Sequence, residues 1–346
     1  MDKRNGLRRM SVLLLCSMLT QAVGCGAVTS DDNLKENDTP IAVTELQENS
    51  ETGETDTTQT GETTTEAGQK DSKVYEENGY LAEKSELLNE RMLEKSGKHF
   101  TFLYETYLKP QGIQPYFAII PDKNYYLKQA DGLEDDFDQM VDKLNQQCPF
   151  MQYKDIRHLL ALEDYYRTDS HWKQDCLVDV AGYLCESMGN PVQAEYETRK
   201  LDHLLEGSYY DEIESEVEPD EVCYLTNEML KACTVSKFEG MDWEDAYVYD
   251  MEKAQSENPY DMFLGGAVPV ITITNPKVDN GRNLILFRDS FGSSLAPLLL
   301  EEYSKITLVD LRYISGEMLG EFIDFEDQNV LFLYSTLIFN SSATLK

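Results

Sequence analysis

Positive charge and histidine are both scarce in this sequence. Lys and Arg total 30 against 64 Asp and Glu, so the formal net charge at pH 7 is −34. A chain this acidic repels nucleic-acid phosphates, which argues against nucleic acid as a partner. There are only four histidines in 346 residues. Because histidine is the usual proton acceptor near neutral pH, the surroundings of each one are informative.

A hydrophobic run long enough to span a membrane is also missing. The apolar run at residues 10–23 has about fourteen positions, fewer than the roughly 20 that a transmembrane helix needs. It follows four basic residues and ends in Ala-Val-Gly before Cys25, which indicates a secretory signal. Cysteine directly after Val-Gly resembles a bacterial lipobox. We therefore predict a lipoprotein signal peptide at 1–24 and a lipid on Cys25, with a plain secreted protein as the alternative.

Lys and Arg are absent between residues 36 and 69, where the tetrapeptide TGET occurs twice. Thr, Glu, Gly and Asp cannot bury enough apolar surface to offset the entropy of ordering a backbone. We therefore expect residues 25–75 to form a disordered acidic stalk rich in Thr and Glu. The protein would be extracytoplasmic, with the stalk lifting its folded part away from a lipid anchor in the bacterial cell membrane.

Cysteine spacing gives no zinc-site pattern, and we expect no metal. If Cys16 is removed with the signal and Cys25 is lipidated, five of the seven cysteines remain. An odd number outside the cytoplasm leaves at least one free thiol or an intermolecular partner. Cys223 and Cys233 have a spacing that would allow a disulfide across a hairpin-like segment.

The remaining chain, residues 76–346, alternates apolar strand patterns with helical ones. We predict strands at 114–120, 283–287, 306–311 and 330–334, and helices at 132–147, 172–188, 293–303 and near 315–322. This alternation predicts an α/β domain whose mostly parallel sheet is covered on both faces. Residues 190–260 are acidic and rich in tyrosine without such alternation, and we expect them to form an inserted lobe.

Ligands of such sheets bind where the strands end at their carboxyl edge. This rule selects RDSFG at 288–292, Arg312 and Ser335, each after a predicted strand. Ser290 would project its hydroxyl beside the N–H groups of the following helix, which favour an oxyanion. The alternative is that Asp289 or Ser290 only caps that helix.

A serine hydroxyl needs a base within hydrogen-bond reach, and a carboxylate normally orients a histidine base. Residues 165–172 read YYRTDSHW, which places Asp169 two positions before His171 at the predicted entry to the 172–188 helix. This segment could equally be a helix cap with a half-buried histidine. Together with Ser290, it supplies the three side chains of a Ser-His-Asp triad.

TDSHW followed by RDSFGSSLAP resembles the DHHW family of bacterial surface proteins. That family is similar to the acetyltransferase domains of the alginate O-acetylation proteins, in the SGNH hydrolase-like class. The resemblance implies a three-layer α/β/α SGNH hydrolase-like domain. It also implies that Ser290 is the nucleophile, His171 the general base and Asp169 the residue that orients it.

The same resemblance suggests roles for other residues. Arg312 matches a site arginine that positions a sugar or steadies the turn, and Tyr334 would face the same pocket. Gly265 and Gly266 would let the backbone approach the site as oxyanion donors, although a tight turn explains the pair equally well. There are departures too. Ser170 replaces the second histidine of the family name, Arg288 replaces a glycine, and the usual oxyanion asparagine has no equivalent.

The resemblance implies a cell-surface serine O-acyltransferase that transfers acetyl to an extracellular or cell-wall polysaccharide and needs no cofactor. Acetyl-CoA is absent outside the cell, so a membrane-bound acyltransferase would supply the acetyl groups. One alternative is a carbohydrate esterase on the same triad. Another is a catalytically inactive surface-binding lipoprotein, with residues 190–260 as its interaction surface.

Overall fold

The computed structural model describes residues 72–84, 88–127, 133–191, 194–340 and 345–346. The predicted signal peptide, Cys25 and most of the predicted stalk lie outside the described residues. The first described strand begins at Val74, shortly before the predicted start of the folded domain at residue 76.

Twelve strands are formed by the described residues. They are β1 (Val74–Glu77), β2 (Tyr80–Glu83), β3 (Tyr116–Ile120), β4 (Gln152–Tyr153), β5 (Glu197–Leu205), β6 (Asp220–Thr226), β7 (Thr234–Glu239), β8 (Asp242–Ala246), β9 (Val270–Thr274), β10 (Asn283–Arg288), β11 (Lys305–Val309) and β12 (Asn329–Ser335).

The same part of the chain forms five α-helices and several single turns of tighter helix. The α-helices are α1 (Glu90–Leu103), α2 (Leu133–Gln147), α3 (Val178–Ser187), α4 (Phe291–Leu299) and α5 (Thr336–Asn340). The short 3₁₀ turns that bear on the site are Lys123–Tyr126, Gln174–Cys176 and Pro259–Met262, and a further one, Gly316–Glu321, lies against α1. None of the described helices combines the length and the apolar character that crossing a bilayer requires.

Eight strands form the central sheet, in the order β4-β3-β12-β10-β11-β9-β7-β8. The strands from β4 to β11 pair in parallel, and β9, β7 and β8 extend the sheet in antiparallel pairing. The protein is therefore a mixed α/β fold with a large central sheet. Its parallel half brings the carboxyl ends of β3, β10, β11 and β12 to one edge.

The apolar runs of the central strands explain why the sheet is buried on both faces. Successive side chains of a strand point to opposite faces, so alternate residues enter different cores. In β10, Leu284 and Leu286 join one cluster, which also contains residues of α3 and α4. Ile285 and Phe287 join the other, together with residues of α1, α2 and α5. Helices thus cover both faces of the sheet, as strands without alternating polarity require.

The predicted elements of the parallel sheet are present, but helix positions differ. The helix predicted at 172–188 begins only at Val178, because Trp172 and Gln174 are drawn into tertiary contacts with α4. The helix predicted at 293–303 starts earlier, at Phe291, and ends at Leu299, two residues after Pro297. Near residues 315–322 the structure has 3₁₀ turns instead of an α-helix.

The acidic stretch 190–260 is not confirmed as a separate lobe. Its strands β5 and β6 form their own antiparallel pair. The β7–β8 hairpin from the same stretch joins the central sheet through β9. The stretch therefore divides between a small sheet and the antiparallel extension of the large one.

All five cysteines in the described part of the chain are free thiols. The pairing considered for Cys223 and Cys233 is not formed. Its premise was a hairpin, but β6, which holds Cys223, pairs with β5 and not with β7. The Cys233 thiol instead donates to the Met229 carbonyl at 3.4 Å.

Phe332 offers a direct test of this packing. Its buried ring stacks on Phe287 at 4.5 Å and lies 4.9 Å from Phe100. Replacing Phe332 by Ala should lower the free energy of unfolding by about 3–5 kcal/mol, because it removes buried area and leaves a cavity. Urea denaturation measures this change. Tyr247→Ala, at a 69 % exposed position, should stay within about 0.5 kcal/mol of wild type, and equal losses in both variants would contradict the assignment.

Candidate active site

The YYRTDSHW segment is a tight loop closed at its base, not the start of a helix. Tyr165 and Trp172 form an antiparallel bridge, and the Tyr166 N–H donates to the His171 carbonyl at 3.0 Å. Tyr165, Tyr166 and Trp172 are fully buried. These aromatic side chains anchor the loop in the core, and its tip carries Asp169 and His171.

The RDSFG segment forms the turn between β10 and α4. Asp289 is buried; its Oδ1 accepts from the Phe291 N–H at 3.0 Å and its Oδ2 from the Ser335 N–H at 2.8 Å. Asp289 therefore caps α4 and ties the turn to the end of β12. Ser290 is the residue before α4, and its own side chain makes no capping bond. Its hydroxyl is left available to the loop opposite.

The departure at Arg288 is accommodated by the glycine that ends the same motif. A Cβ on Gly292 would lie 2.6 Å from the Arg288 Cβ, closer than side-chain carbons approach. Arg288 is fully buried, and its Nη1 lies 3.5 Å from the buried Asp310 carboxylate. Burial lowers the pKa of its guanidinium. The turn thus keeps its shape because Gly292 leaves room for the bulk at position 288.

The loop and the turn meet through three side chains that are distant in sequence. Ser290 Oγ lies 2.7 Å from His171 Nε2, and His171 Nδ1 lies 2.5 Å from Asp169 Oδ1. Asp169 is buried, while His171 and Ser290 are half-buried. The structure therefore joins a hydroxyl, an imidazole and a carboxylate in one hydrogen-bonded chain at the carboxyl edge of the sheet.

The Asp169 carboxylate is held as an anion. Burial by itself would raise its pKa, but the His171 imidazole and the N–H groups of Ser208 and His171 outweigh burial and lower the pKa of Asp169 below its usual value. Both N–H groups donate at 2.9 Å. Gly207 allows this approach, because a Cβ there would lie 2.4 Å from the Asp169 Cβ. A fixed anion favours the tautomer with a proton on His171 Nδ1, which leaves Nε2 free to accept one.

Aromatic side chains enclose the imidazole. The Tyr260 ring stacks on His171 at 3.9 Å, and the Phe291 ring lies 4.7 Å away. The hydroxyl of Tyr260 lies 2.9 Å from Ser294 Oγ, which also accepts from the Trp172 indole at 2.9 Å. Ser294 therefore links the loop, the Tyr260 turn and α4, and holds the Tyr260 ring that stacks on the imidazole.

Arg312 lies shortly after the end of β11, and its side chain is hydrogen-bonded to a neighbouring residue. Its guanidinium donates to both oxygens of the buried Asp310, at 2.9 and 2.7 Å. This contact joins Arg312 to the turn that follows β11. Within the described part of the chain, the Arg312 side chain makes no hydrogen bond to Ser290 or His171.

The prediction that Tyr334 faces the pocket is wrong. Tyr334 is 1 % exposed and packs against Phe100 and Phe339 in the core beneath α1 and α5. In the alternation of β12, position 334 points away from the face that carries α3 and α4. Tyr334 is a core residue.

Gly265 and Gly266 form a buried tight turn with φ angles of +78° and +86°. The turn follows the Tyr260 segment that stacks on the histidine. Lys253 donates to the Gly265 carbonyl at 2.7 Å, and a Cβ on Gly266 would lie 3.0 Å from the Asp261 carboxylate. The glycines are thus required by the turn, which borders the wall of the site.

Sequence reasoning missed several residues that shape the site, chiefly Lys123, Ser208, Asp220 and Tyr260. Lys123 carried a usable signal: it comes three residues after β3, another parallel strand ending at the same edge. Ser208, Asp220 and Tyr260 come from the acidic 190–260 stretch, whose pattern predicts no position relative to the sheet. Among the described residues, no group of His, Cys, Asp and Glu is arranged to hold a metal ion.

The fold and the site define a mixed α/β protein with a Ser-His-Asp hydrogen-bonded chain at the carboxyl edge of its sheet. Within that class the chain belongs to the DHHW family, whose family model matches residues 137–309. The family resemblance of the two motifs is thereby confirmed. No curated protein matches the chain by sequence.

Solved structures share the fold. A DHHW family protein from Eubacterium siraeum matches with a TM-score of 0.58 and 19 % identity, over 78 % of this chain and 94 % of that one. PatB1 from Bacillus cereus matches with a TM-score of 0.63 and 18 % identity, over 79 % and 99 %. PatB1 with a sulfonyl adduct gives 0.62 and 17 %, over 78 % and 97 %. At these identities the likeness establishes the fold alone.

The lowered pKa of Asp169 predicts how its contribution to stability depends on pH. This contribution is fully present above the unfolded-state pKa, about 4, and is lost as the pH falls below that value toward the folded-state pKa. Asp169→Asn should therefore destabilise the protein most near neutral pH, and the difference from wild type should shrink below about pH 4.

Urea unfolding of both proteins at about pH 7, 5 and 3 measures this difference. Asp202→Asn on β5, at an exposed position, is the control and should track wild type at every pH. A gap between wild type and Asp169→Asn that stays constant over this range would contradict the prediction.

Proposed function

We propose that this protein is a serine O-acyltransferase that transfers acetyl groups to an extracellular or cell-wall polysaccharide. The observation that carries the proposal is the 2.7 Å contact between Ser290 Oγ and His171 Nε2, with Asp169 bonded behind the histidine. In this proposal the eight-stranded fold is an SGNH hydrolase-like three-layer arrangement. Membership of the DHHW family supports that interpretation.

Acylation would begin at Ser290. As its Oγ attacks the carbonyl carbon of an acetyl ester donor, His171 Nε2 accepts the hydroxyl proton. The tetrahedral intermediate collapses when the bond to the donor oxygen breaks, and His171 returns the proton to that leaving oxygen. The products are an acetyl ester on Ser290 and a free donor alcohol.

In the transfer step a sugar hydroxyl would be the nucleophile, and Ser290 Oγ would be the leaving group. A sugar hydroxyl enters, His171 Nε2 takes its proton, and the sugar oxygen attacks the acetyl-serine carbonyl. When the second intermediate collapses, the proton returns to Ser290 Oγ and the acetyl group leaves on the sugar. Asp169 remains ionised throughout and stabilises the imidazolium that forms in each step.

Backbone donors would stabilise the oxyanion of both intermediates. The N–H groups of the three residues after Ser290 are already used: Phe291 and Gly292 donate to Asp289, and Ser293 donates to the Ser290 carbonyl. Among the described residues, no acceptor is bonded to the Ser290 N–H, which makes it the donor at this turn. The Gly266 N–H already donates to the Phe263 carbonyl at 3.4 Å, so within the Gly265–Gly266 pair the proposed source of a further N–H is Gly265, which would replace the missing asparagine.

The proposed location is the outer face of the bacterial membrane, with Cys25 as the lipidated residue and the acidic segment 25–75 as the spacer. No acetyl-CoA is present there. The acetyl groups would therefore come from a membrane-bound acyltransferase, which is the proposed partner.

Ester turnover tests the proposed site. The purified chain should release p-nitrophenol from p-nitrophenyl acetate, and Ser290→Ala or His171→Ala should each reduce kcat by at least about a thousandfold, because either change removes a member of the acting unit. The matched controls are Ser256→Ala and His158→Ala, at exposed positions, which should retain wild-type rates. Background release that is the same in wild type and Ser290→Ala would refute the proposed chemistry.

Two further measurements refine this test. A sulfonyl fluoride should add a sulfonyl group to Ser290, detected as a mass gain that Ser290→Ala lacks. Oligosaccharide acceptors should gain the mass of one acetyl group during turnover. Acetate release with no acetylated sugar would identify hydrolysis in place of transfer.

The anchor has its own test. Cys25→Ser expressed in a bacterial host should appear in the culture medium or in the soluble extracytoplasmic fraction, because the thiol that carries the lipid is gone. The wild-type chain should remain with the membrane. Cell fractionation and the mass of the mature N-terminus measure the outcome. Cys16→Ser, within the predicted signal, is the control, and membrane retention of Cys25→Ser would contradict the anchor.

A further inference from the structure

Lys123 occupies an unusual position for a lysine. It is 0 % exposed and lies in the short 3₁₀ turn after β3. Its Nζ donates to three backbone carbonyls of the site loop: Tyr166 at 3.0 Å, Arg167 at 3.3 Å and Asp169 at 2.8 Å. An ammonium group has three N–H donors. Each of them is therefore matched by one carbonyl of the loop that carries Asp169 and His171.

From this geometry we propose that Lys123 is a positioning residue of the Ser-His-Asp site, acting through Asp169. The inference rests on the proposed function, in which Asp169 orients His171. Lys123 holds the Asp169 backbone from below, while the Ser208 and His171 N–H groups hold its carboxylate. With both ends of the residue held, Asp169 Oδ1 has a fixed direction toward His171 Nδ1.

The loop needs this donor because its carbonyls converge in a buried space. The Arg167 carbonyl also accepts from the Leu81 N–H at 2.7 Å. The Tyr166 and Asp169 carbonyls depend on Lys123, because a tight loop cannot pair them as a sheet would and buried unpaired carbonyls are costly. A second clamp works beside it: the Asp220 carboxylate accepts from the Arg167 and Thr168 N–H groups at 2.9 and 2.8 Å. Lys123 thus binds the acceptors of the loop backbone and Asp220 binds its donors.

The charged groups around Lys123 influence the pH range in which its ammonium binds the three carbonyls. Burial lowers the pKa of its ammonium to about 8, although Asp122, Asp169 and Asp220 oppose that shift and Lys173 adds to it. The Tyr209 ring also lies over the ammonium, at 5.1 Å from Nζ. Above that pH the neutral amine has two donors for three carbonyls. The Asp169–His171 bond is then less well held, so activity should fall on the alkaline side.

Two substitutions separate donor geometry from charge. Lys123→Gln leaves a shorter neutral side chain with two donors, and Lys123→Arg keeps a permanent charge with donors to spare. Lys231→Gln and Lys231→Arg are the matched controls, at a lysine that is 51 % exposed and paired with Glu228. Thermal unfolding verifies the fold of each purified protein.

The first readout is ester turnover as a function of pH. Lys123→Gln should lower kcat by about 10- to 100-fold, the cost of a misplaced reacting group, and leave KM within about threefold of wild type. Lys123→Arg should retain most of kcat at neutral pH and move the alkaline limb above that of wild type. Both Lys231 variants should reproduce the wild-type profile.

The second readout does not depend on turnover. In protein with ¹⁵N-labelled histidine, the Nδ1–H signal of His171 reports its bond to Asp169, and His171→Ala assigns it among the four histidines. Lys123→Gln should shift or broaden this signal, and the wild-type signal should change as the pH rises past about 8.

The outcomes separate the two claims. Ester release that does not depend on Ser290 defeats the proposed function, and the His171 signal then decides the role of Lys123 by itself. A folded Lys123→Gln with wild-type kcat and an unchanged His171 signal would falsify the positioning role. If Lys123→Gln does not fold, Lys123→Arg decides: an upward shift of its alkaline limb supports the role, and a wild-type limb overturns it.

Discussion

The contact between His171 Nε2 and Ser290 Oγ joins two segments that lie 119 residues apart in the chain. Most of the organisation around it serves to make that contact possible. Ser290 follows β10 at the carboxyl edge of the sheet. The aromatic residues of the 165–172 loop are buried in the core, so that the tip of this loop faces the serine. If these two backbones separated by a few ångströms, the hydroxyl would have no base.

Two opposite charges stabilise the loop from below. The Lys123 ammonium binds its carbonyls, and the Asp220 carboxylate binds its N–H groups. Buried charges are expensive to desolvate, so a chain keeps them only where hydrogen bonds compensate. Here both charges meet irregular backbone, which has no ladder of its own to satisfy its polar groups. The irregular loop that directs Asp169 and His171 toward Ser290 thus accounts for the buried charges beneath it.

Much of the candidate site was predictable because it lies at strand ends. Apolar runs located four of the five parallel strands, β3, β10, β11 and β12 but not β4, and the rule that sites form at their carboxyl ends selected Ser290. The same rule did not distinguish roles. Arg312 and Asp289 also follow strands, yet one is bound to Asp310 and the other caps α4. The prediction for Tyr334 was wrong because its position in β12 puts its side chain on the other face of the sheet. The face that a side chain occupies depends on its register in the strand and not on its proximity to the site in sequence.

Apolar patterns in the sequence therefore predicted four strands of the eight-stranded sheet, β3, β10, β11 and β12, and helices beside them, since side-chain burial repeats every two residues in a strand and every three or four in a helix. The two motifs TDSHW and RDSFG marked Asp169, His171 and Ser290 as candidate site residues. Only the tertiary structure decided that the acidic stretch would divide between two sheets, supplying Ser208, Asp220 and Tyr260 to the site. It also decided that a lysine after β3 would be buried under the loop. Such placements depend on contacts between residues far apart in the chain, for which local periodicity carries no information.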